Sequence, residues 1–528
     1  MSRNIRNAAV AFSQQVLGAL LGAVGMFFVA RNMPQADFHI GIIGTALSFV
    51  GIFLALQRTF DAAHVKRVSE GEPLATCNGT YLVLNTLSTL TLVVLVLGAT
   101  YAWDSLIPAL RDDIAWIGAR DLGGFQTRLD VRVIELLVAY QVLNSIGEYV
   151  RRTYEGQQNI VVGQVILTTE HVVKGAAMIY VAFHGFGPFL PGTHNALGIA
   201  GAYLVGAIAL GIVAIGYMVE QPIGKPDWAL ARSYFSFGWK VTLTSSIYLI
   251  AVHATSIMLR LFWAPRDVGY YFAPARYVQF LPAVAGAVVT AVFPVFSKLH
   301  ASGERSPELV ARMVRLVSLL LLPIVALSVA MPEAIIHVLL SDQFLPAAPV
   351  LVILTVGGYV NAVRATIASK LGGMNKPEEV TKAAALSMVA TLVLGIIFIA
   401  PSLFGVPLLG MRATGAALAV ALAQFAGFGQ VLRAAREHAD VRFPPIWRHA
   451  IILAVTTGIL YALTLVLPET SFRFYHLAGA GVLALALTGG VGLAVREISL
   501  QDVRTLWHFM HPSAWAEFFL EETGGRGR

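Results

Sequence analysis

Residues 64–72 read HVKRVSEGE and residues 296–304 read FSKLHASGE, so Lys66, Gly71 and Glu72 match Lys298, Gly303 and Glu304 at one offset of 232. Further along, YEGQQN at 154–159 pairs with LGGMNK at 371–376 at an offset of 217, and IAGAYLVGA at 199–207 pairs with RATGAALAVA at 412–421 at 214. Most of the decrease falls across the polar stretch 104–130, which the second half lacks. Chance matches would not drift in one direction, whereas an internal duplication with one insertion does. Each matched segment stands at the edge of an apolar run, so such runs are the material of the repeat.

Those runs set the class. The 528 residues are 57% hydrophobic and only 13% charged, against about 25% charged in a soluble domain. Apolar stretches of membrane-spanning length recur from end to end, each long enough to cross a core of about 30 Å. The net charge of +7 comes from Lys and Arg scattered singly along short loops, with no basic tract that would serve nucleic acid. The single cysteine, Cys77, excludes an intramolecular disulfide and any CxxC site, and reads as a small core residue. Arg3 and Arg6 precede an apolar stretch from Asn7 to Ala30, too long for a signal peptide and lacking a cleavage site, so it stays as the first span.

Fourteen spans are expected, starting near Asn7, Phe38, Cys77, Val131, Ile160, Leu197, Phe237, Tyr270, Met313, Ala347, Ala383, Ala413, His449 and Phe474. With the N-terminus inside, the inner loops collect the basic residues, among them Lys66, Arg67, Arg151, Arg152, Lys225, Lys298, Arg305, Lys376, Arg433 and Arg436. That asymmetry places both termini in the cytoplasm. Six spans per repeat is an even number, so the two units run parallel about an axis along the membrane normal. The fold class expected is therefore an all-α integral membrane protein of about 14 transmembrane helices, two parallel six-helix repeats plus two extra C-terminal helices. Its parts are a lobe at 1–220, a second lobe at 221–435, spans 13 and 14 at 436–496, and a tail at 497–528. In the tail, Trp507, Phe509, Trp515, Phe518 and Phe519 among polar residues suit an amphipathic helix on the inner leaflet. Such a tail offers a docking place for a partner enzyme.

The stretch VGYYFAPARYVQFLPAVAGAVVTAVFPVFSKL (Val268 to Leu299), with LLSDQFLPAAPVLVIL and RATGAALAVALAQ after it, resembles the Wzx-like polysaccharide flippases of the multidrug/oligosaccharidyl-lipid/polysaccharide (MOP) exporter superfamily. SRNIRNAAVAFSQQVLGALLG and ARNMPQADFHIG resemble their first two helices, and the likeness covers nearly the whole chain. The resemblance implies two six-helix lobes around a central cavity and alternating access. Its implied cargo is a polyprenyl- or dolichyl-linked oligosaccharide carried from the inner to the outer leaflet of the cell membrane. It implies no cofactor. Its partners would be the lipid-linked oligosaccharide, membrane lipids and the glycosyltransferases of the same pathway, and no nucleic acid. Two departures stand out: Gln14 and Gln15 occupy the place of a basic residue in the lipid II flippases, and His253 or Thr255 replaces an aspartate of the seventh helix in related flippases.

Basic groups at membrane depth cost about 2.5–3.5 kcal/mol each on insertion scales, so those that persist usually face a cavity. Four are candidates for binding an anionic phosphate-linked sugar: Lys174 in span 5, Arg260 near the outer end of span 7, Arg276 in span 8 and Arg364 in span 10. Each has a plainer reading. Arg260 would snorkel to the outer interface and Arg364 to the inner one. Lys174 has Glu170 one turn before it, and that pair can neutralise itself. Glu170 and His171 are the candidates for ion coupling, although a lone histidine at this depth is more often a packing residue. Pro274 is read as lying near the start of span 8, with Pro282 and Pro294 further in as sources of kinks. No HExxH motif, phosphate-binding GxxxxGK[ST] loop or sizeable outer domain is present, so no catalytic or metal site is assigned and no enzyme is expected. Two alternatives stay open: a multidrug or small-molecule antiporter, which would want acidic groups, and a membrane oligosaccharide polymerase or ligase, which needs a long outer loop.

Overall fold

The computed structural model describes residues 3–114, 128–185, 193–282, 285–286, 307–374, 376–438, 446–466 and 472–497. The repeat segment 296–304, Pro294, the loop residues 115–127 and the tail 498–528 lie outside them. Sixteen α-helices run through the described residues. They are α1 (Arg3–Asn32), α2 (Ala36–Gln57), α3 (Asp61–Ser69), α4 (Leu74–Ile114), α5 (Arg128–Gly156), α6 (Ile160–His184), α7 (Ala196–Met218) and α8 (Trp228–Phe262). The second half holds α9 (Pro265–Val278), α10 (Pro307–Ala330), α11 (Pro332–Leu339), α12 (Ala348–Gly373), α13 (Pro377–Ile399), α14 (Arg412–His438), α15 (Ile446–Val466) and α16 (Phe474–Ala494). A two-residue hairpin, Ser402–Leu403 with Val406–Pro407, joins α13 to α14.

Ten of these stretches are long and apolar enough to cross a membrane, which makes the chain an all-α, multi-pass membrane protein. The difference from fourteen has a physical reason. α5 carries Asp130, Arg132, Glu135, Glu148, Arg151 and Arg152 along its length, and α1 and α8 contribute only the shorter apolar stretches Leu17–Asn32 and Leu249–Phe262. α9 is described for 14 residues, and it starts at Pro265, before the expected Tyr270. Pro274 therefore sits in the interior of this helix and not at its start. α4 continues as helix to Ile114, so the first part of the stretch 104–130 extends a span.

Local chemistry marks the helix starts. Asp227 caps α8 by accepting from the amides of Ala229 and Leu230 at 2.7 and 3.2 Å, and Asn195 caps α7 by accepting from Leu197 at 2.9 Å. Pro265, Pro332 and Pro377 open α9, α11 and α13, where a missing N–H costs nothing. The corners YEGQQN and LGGMNK close with the same two backbone bonds at the sequence offset of 217: Gln157 to Thr153 and Asn159 to Tyr154 in one, Met374 to Lys370 and Lys376 to Leu371 in the other. Part of HVKRVSEGE is itself helical, as α3, while its counterpart at 296–304 lies outside the described residues.

α1 packs on α6, and α6 and α5 pack on α7; in the second half α14 packs on α12 and α13, and α10 on α12. α15 and α16 lie on α10. α2 joins the two groups by packing on α8 and α9. Small residues permit that approach. A Cβ at Gly41 would fall on the Pro265 carbonyl, one at Gly51 on the His253 ring, and one at Gly269 on the Asp37 carbonyl, while at Gly44 it would meet Phe272 Cγ at 2.7 Å. The segment that leads into α8 is held on α4: Ala75 O accepts from Gly224 N at 2.8 Å, Pro222 O from Asn78 Nδ2 at 2.9 Å, and Thr80 Oγ1 from Asp227 N at 2.9 Å.

Candidate functional site

The seam between α2 and α9 is where the two groups of helices meet, and Arg276 lies on it. Phe272, one turn earlier, packs against Gly44 of α2, and the Arg276 guanidinium stands 4.4 Å over that Phe272 ring. Its Nη1 donates to Gln279 Oε1 at 3.4 Å. His253 of α8, set against Gly51, is within electrostatic reach of it. Among the described residues Arg276 has a cation-π contact and a weak hydrogen bond but no ion pair. A half-buried cation with spare donors is suited to an anion.

The other three basic candidates do not converge on it. Lys174 donates to Glu170 Oε1 at 2.8 Å, and its ammonium lies 5.1 Å over the Tyr203 ring. Tyr140 also donates to Glu170 Oε1, at 3.1 Å, and accepts from Asn144 Nδ2 at 3.0 Å. The self-neutralising pair read from the sequence is formed, inside α5, α6 and α7. His171 faces the other way, toward α1: its Nδ1 is 3.2 Å from Gln14 Nε2 and 2.7 Å from the Leu167 carbonyl. Arg364 donates to Asn361 Oδ1 at 2.7 Å and, across to α13, to Ser387 Oγ at 3.0 Å.

Arg260 does not snorkel. It is 5% exposed, and its Nη2 is 3.8 Å from Oδ2 of Asp130, itself 3% exposed, in α5 of the other helix group. A buried carboxylate on a neighbouring helix holds the guanidinium inward, a partner that spacing along one chain does not reveal. Arg315 stands well inside α10 and donates to the Glu497 carbonyl at 3.3 Å.

Sequence reasoning missed two clusters. At the end of the bundle that holds Asn32 and Ala36, Arg266 Nε is 2.6 Å from Asp37 Oδ2, and Tyr270 donates to the same oxygen at 3.2 Å. Beside it Arg31 donates to the carbonyls of His337 and Val338 at 2.9 and 2.7 Å, and Gln343 Oε1 accepts from Ala36 N at 3.0 Å. At the opposite end, Asp61 and Glu148 are buried among Arg58, Arg151 and Arg152, with Arg152 Nε 3.3 Å from Asp61 and Arg151 Nη2 2.6 Å from Glu148. Tyr81 donates to Asp61 at 2.8 Å. The available signal was the acidic residue near each helix end facing an Arg-rich one, which only pairing in space makes specific.

The sequence profile of the polysaccharide biosynthesis protein family matches residues 76–349, more than half of the chain. The chain belongs to that family. The matched region takes in Glu170, His171, Lys174, Arg260 and Arg276 and leaves Arg364 outside. The family member is 24% identical over 429 residues, 79% of its length and 80% of the relative, to a protein of Haloferax volcanii described as a probable low-salt glycan biosynthesis flippase. It is also 27% identical over 293 residues to an uncharacterized membrane protein of Methanocaldococcus jannaschii, covering 52% of this chain and little more than half, 56%, of that one. Its fold is similar to that of a lipid II flippase solved in an inward closed conformation, with a TM-score of 0.65 at 14% identity over 93% of this chain and 99% of the other. The resemblance read from the sequence is borne out as membership of the polysaccharide biosynthesis protein family, distant similarity to a probable glycan flippase, and a fold shared with a lipid II flippase.

Proposed function

We propose that this chain flips a polyprenyl- or dolichyl-(pyro)phosphate-linked oligosaccharide from the inner to the outer leaflet by alternating access of two lobes, residues 1–220 and 221–435. The observation that carries the proposal is Arg276, a cation without an ion pair among the described residues, on the seam between the helix groups. A sugar-phosphate headgroup cannot cross an apolar core of about 30 Å, while its lipid tail is already at home there. The protein need only shield the head, and a guanidinium can chelate two phosphate oxygens as it does so. The kinship with a glycan biosynthesis flippase supports a glycan as the cargo.

With both termini cytoplasmic, as the Lys and Arg distribution indicates, the Asp37–Arg266 and Asp130–Arg260 pairs lie toward the outer face. They join the helix groups there, which fits a state closed to the outside. Outward opening then has to separate them. Lys174 is held by Glu170, so it becomes available to an anion only when Glu170 takes up a proton; Glu170 with His171 is the proposed coupling pair. An inside-negative potential assists outward movement of an anionic load by about 2.3 kcal/mol per charge per 100 mV.

The test is deletion of the protein followed by leaflet-resolved analysis of lipid-linked glycans. The intermediate should be made and remain on the inner leaflet. Single unpolymerised repeat units at the outer face would replace this reading with a polymerase, and normal glycan export with loss of resistance to cationic drugs would replace it with an antiporter.

A further inference from the structure

At the arginine-rich end of the bundle, where α14 finishes with Arg433 and Arg436, the last two spans are tied to α10 by a cluster that holds, among the described residues, more cations than carboxylates. Glu497 follows α16 and is 2% exposed. Arg448 Nη1, in the first turn of α15, lies 3.2 Å from Glu497 Oε2 and also donates to the Arg496 carbonyl at 3.2 Å. His449 Nε2 is 3.3 Å from Glu497 Oε1 without the alignment of a hydrogen bond. Arg315 of α10 reaches only the Glu497 main-chain oxygen. Two guanidinium groups and an imidazole thus share one carboxylate.

The surplus is visible atom by atom. Among the described residues the buried atoms Arg315 Nε, Arg448 Nε and His449 Nε2 have no hydrogen-bond partner, and His449 is only 7% exposed. Buried donors are nearly always satisfied, and two half-buried guanidinium groups beside one carboxylate leave positive charge in excess among the described residues. A single tetrahedral anion would answer both defects, because its oxygens accept several N–H bonds while its charge balances the second guanidinium. The surroundings say from where it comes. Only 22% of the spanning window of α15 and 28% of that of α16 is buried, so both helices present most of their surface to lipid. Trp447 is 58% exposed beside the cluster, with the Arg448 guanidinium 5.4 Å from its ring, as in the aromatic belts at headgroup level.

We propose that Arg315, Arg448 and His449 form a binding site for the phosphate of an anionic phospholipid of the cytoplasmic leaflet, which fastens α15 and α16 to α10. The site is separate from Arg276 and does not depend on the cargo assigned above. Glu497 limits its affinity by occupying part of the donor set.

The full-length protein, purified and delipidated, would be titrated with phosphatidylglycerol, with phosphatidylcholine and with inorganic phosphate, and followed by native mass spectrometry and thermal unfolding. Phosphatidylglycerol should be retained as a one-to-one adduct and raise the melting temperature, with phosphatidylcholine doing neither. Arg315→Gln and Arg448→Gln should each weaken the adduct about fivefold, in line with the usual contribution of a basic residue at a lipid surface. Glu497→Gln, which keeps every cation, should bind phosphatidylglycerol more tightly than the natural sequence. That variant also protects the test if an arginine substitution fails to fold. Equal retention of the two lipids, an adduct unchanged in the arginine variants, or no gain in Glu497→Gln would overturn the proposal. A shift reproduced by inorganic phosphate alone would overturn its assignment to a lipid.

Discussion

Asp130 at the start of α5 and Arg260 at the end of α8 form an ion pair 3.8 Å long, with both side chains almost fully buried between helices from different halves of the chain. Removing one partner of such a pair leaves a buried charge and usually costs about 3–5 kcal/mol, whereas replacing both by apolar groups of similar volume is often neutral. Asp130→Asn and Arg260→Met should each lower the melting temperature clearly, and Asp130→Leu/Arg260→Met should recover much of the loss. A double-mutant cycle on the purified protein reads this out. Additive losses would mean that the two charges are not coupled.

Arg276→Ala should lower transport about tenfold or more while leaving membrane abundance near normal, since a guanidinium placed for a ligand contributes little to folding. Arg276→Lys keeps the charge and loses the two-pronged geometry, so it should fall in between. Leaflet-resolved glycan assays with matched immunoblots check both. Normal transport by both variants would remove Arg276 from the site.

Lys174→Ala should reduce transport by exposing Glu170, which loses its 2.8 Å partner and keeps the Tyr140 hydroxyl. The double variant Glu170→Ala/Lys174→Ala separates two roles. Recovery of transport in it shows that Lys174 serves its neighbour, whereas transport that stays low keeps both residues of the pair in the mechanism. Arg315 is unsuitable as a neutral control for these experiments, because it holds the Glu497 carbonyl.

Gly41→Ala and Gly269→Ala should both be strongly destabilising, because the added methyl falls on a backbone carbonyl that cannot rotate away. Overpacking of this kind costs about 1–3 kcal/mol or more. Gly98→Ala and Gly211→Ala, with nothing within 4 Å of the added carbon, should be neutral in the same thermal assay. Equal melting temperatures for the two sets would contradict the close contact of α2 with α9.

Orientation is testable by labelling intact cells after Cys77→Ser. Asp112→Cys, near the end of α4, should react with an impermeant thiol reagent from outside, and Ser302→Cys should not. Labelling of position 302 alone would invert the topology.

Hydropathy and the offset repeats are local properties, and each was legible in the chain. An apolar run must find lipid or a neighbouring helix wherever it sits, and YEGQQN and LGGMNK close their corners with the same backbone bonds because residues a few positions apart make them. The Glu170–Lys174 pair was equally legible, since one helical turn brings i and i+4 together. Partners far apart in the chain were not. That Arg260 meets Asp130, that Asp37 meets Arg266 and that Arg315 meets Glu497 depends on which helices pack together and at what height. A charge at membrane depth announces from sequence only its cost. Whether a carboxylate removes that cost, as for Arg260, or the group has no ion pair among the described residues, as for Arg276, was decided by tertiary packing, because the electrostatic energy depends on distances that spacing along the chain does not determine.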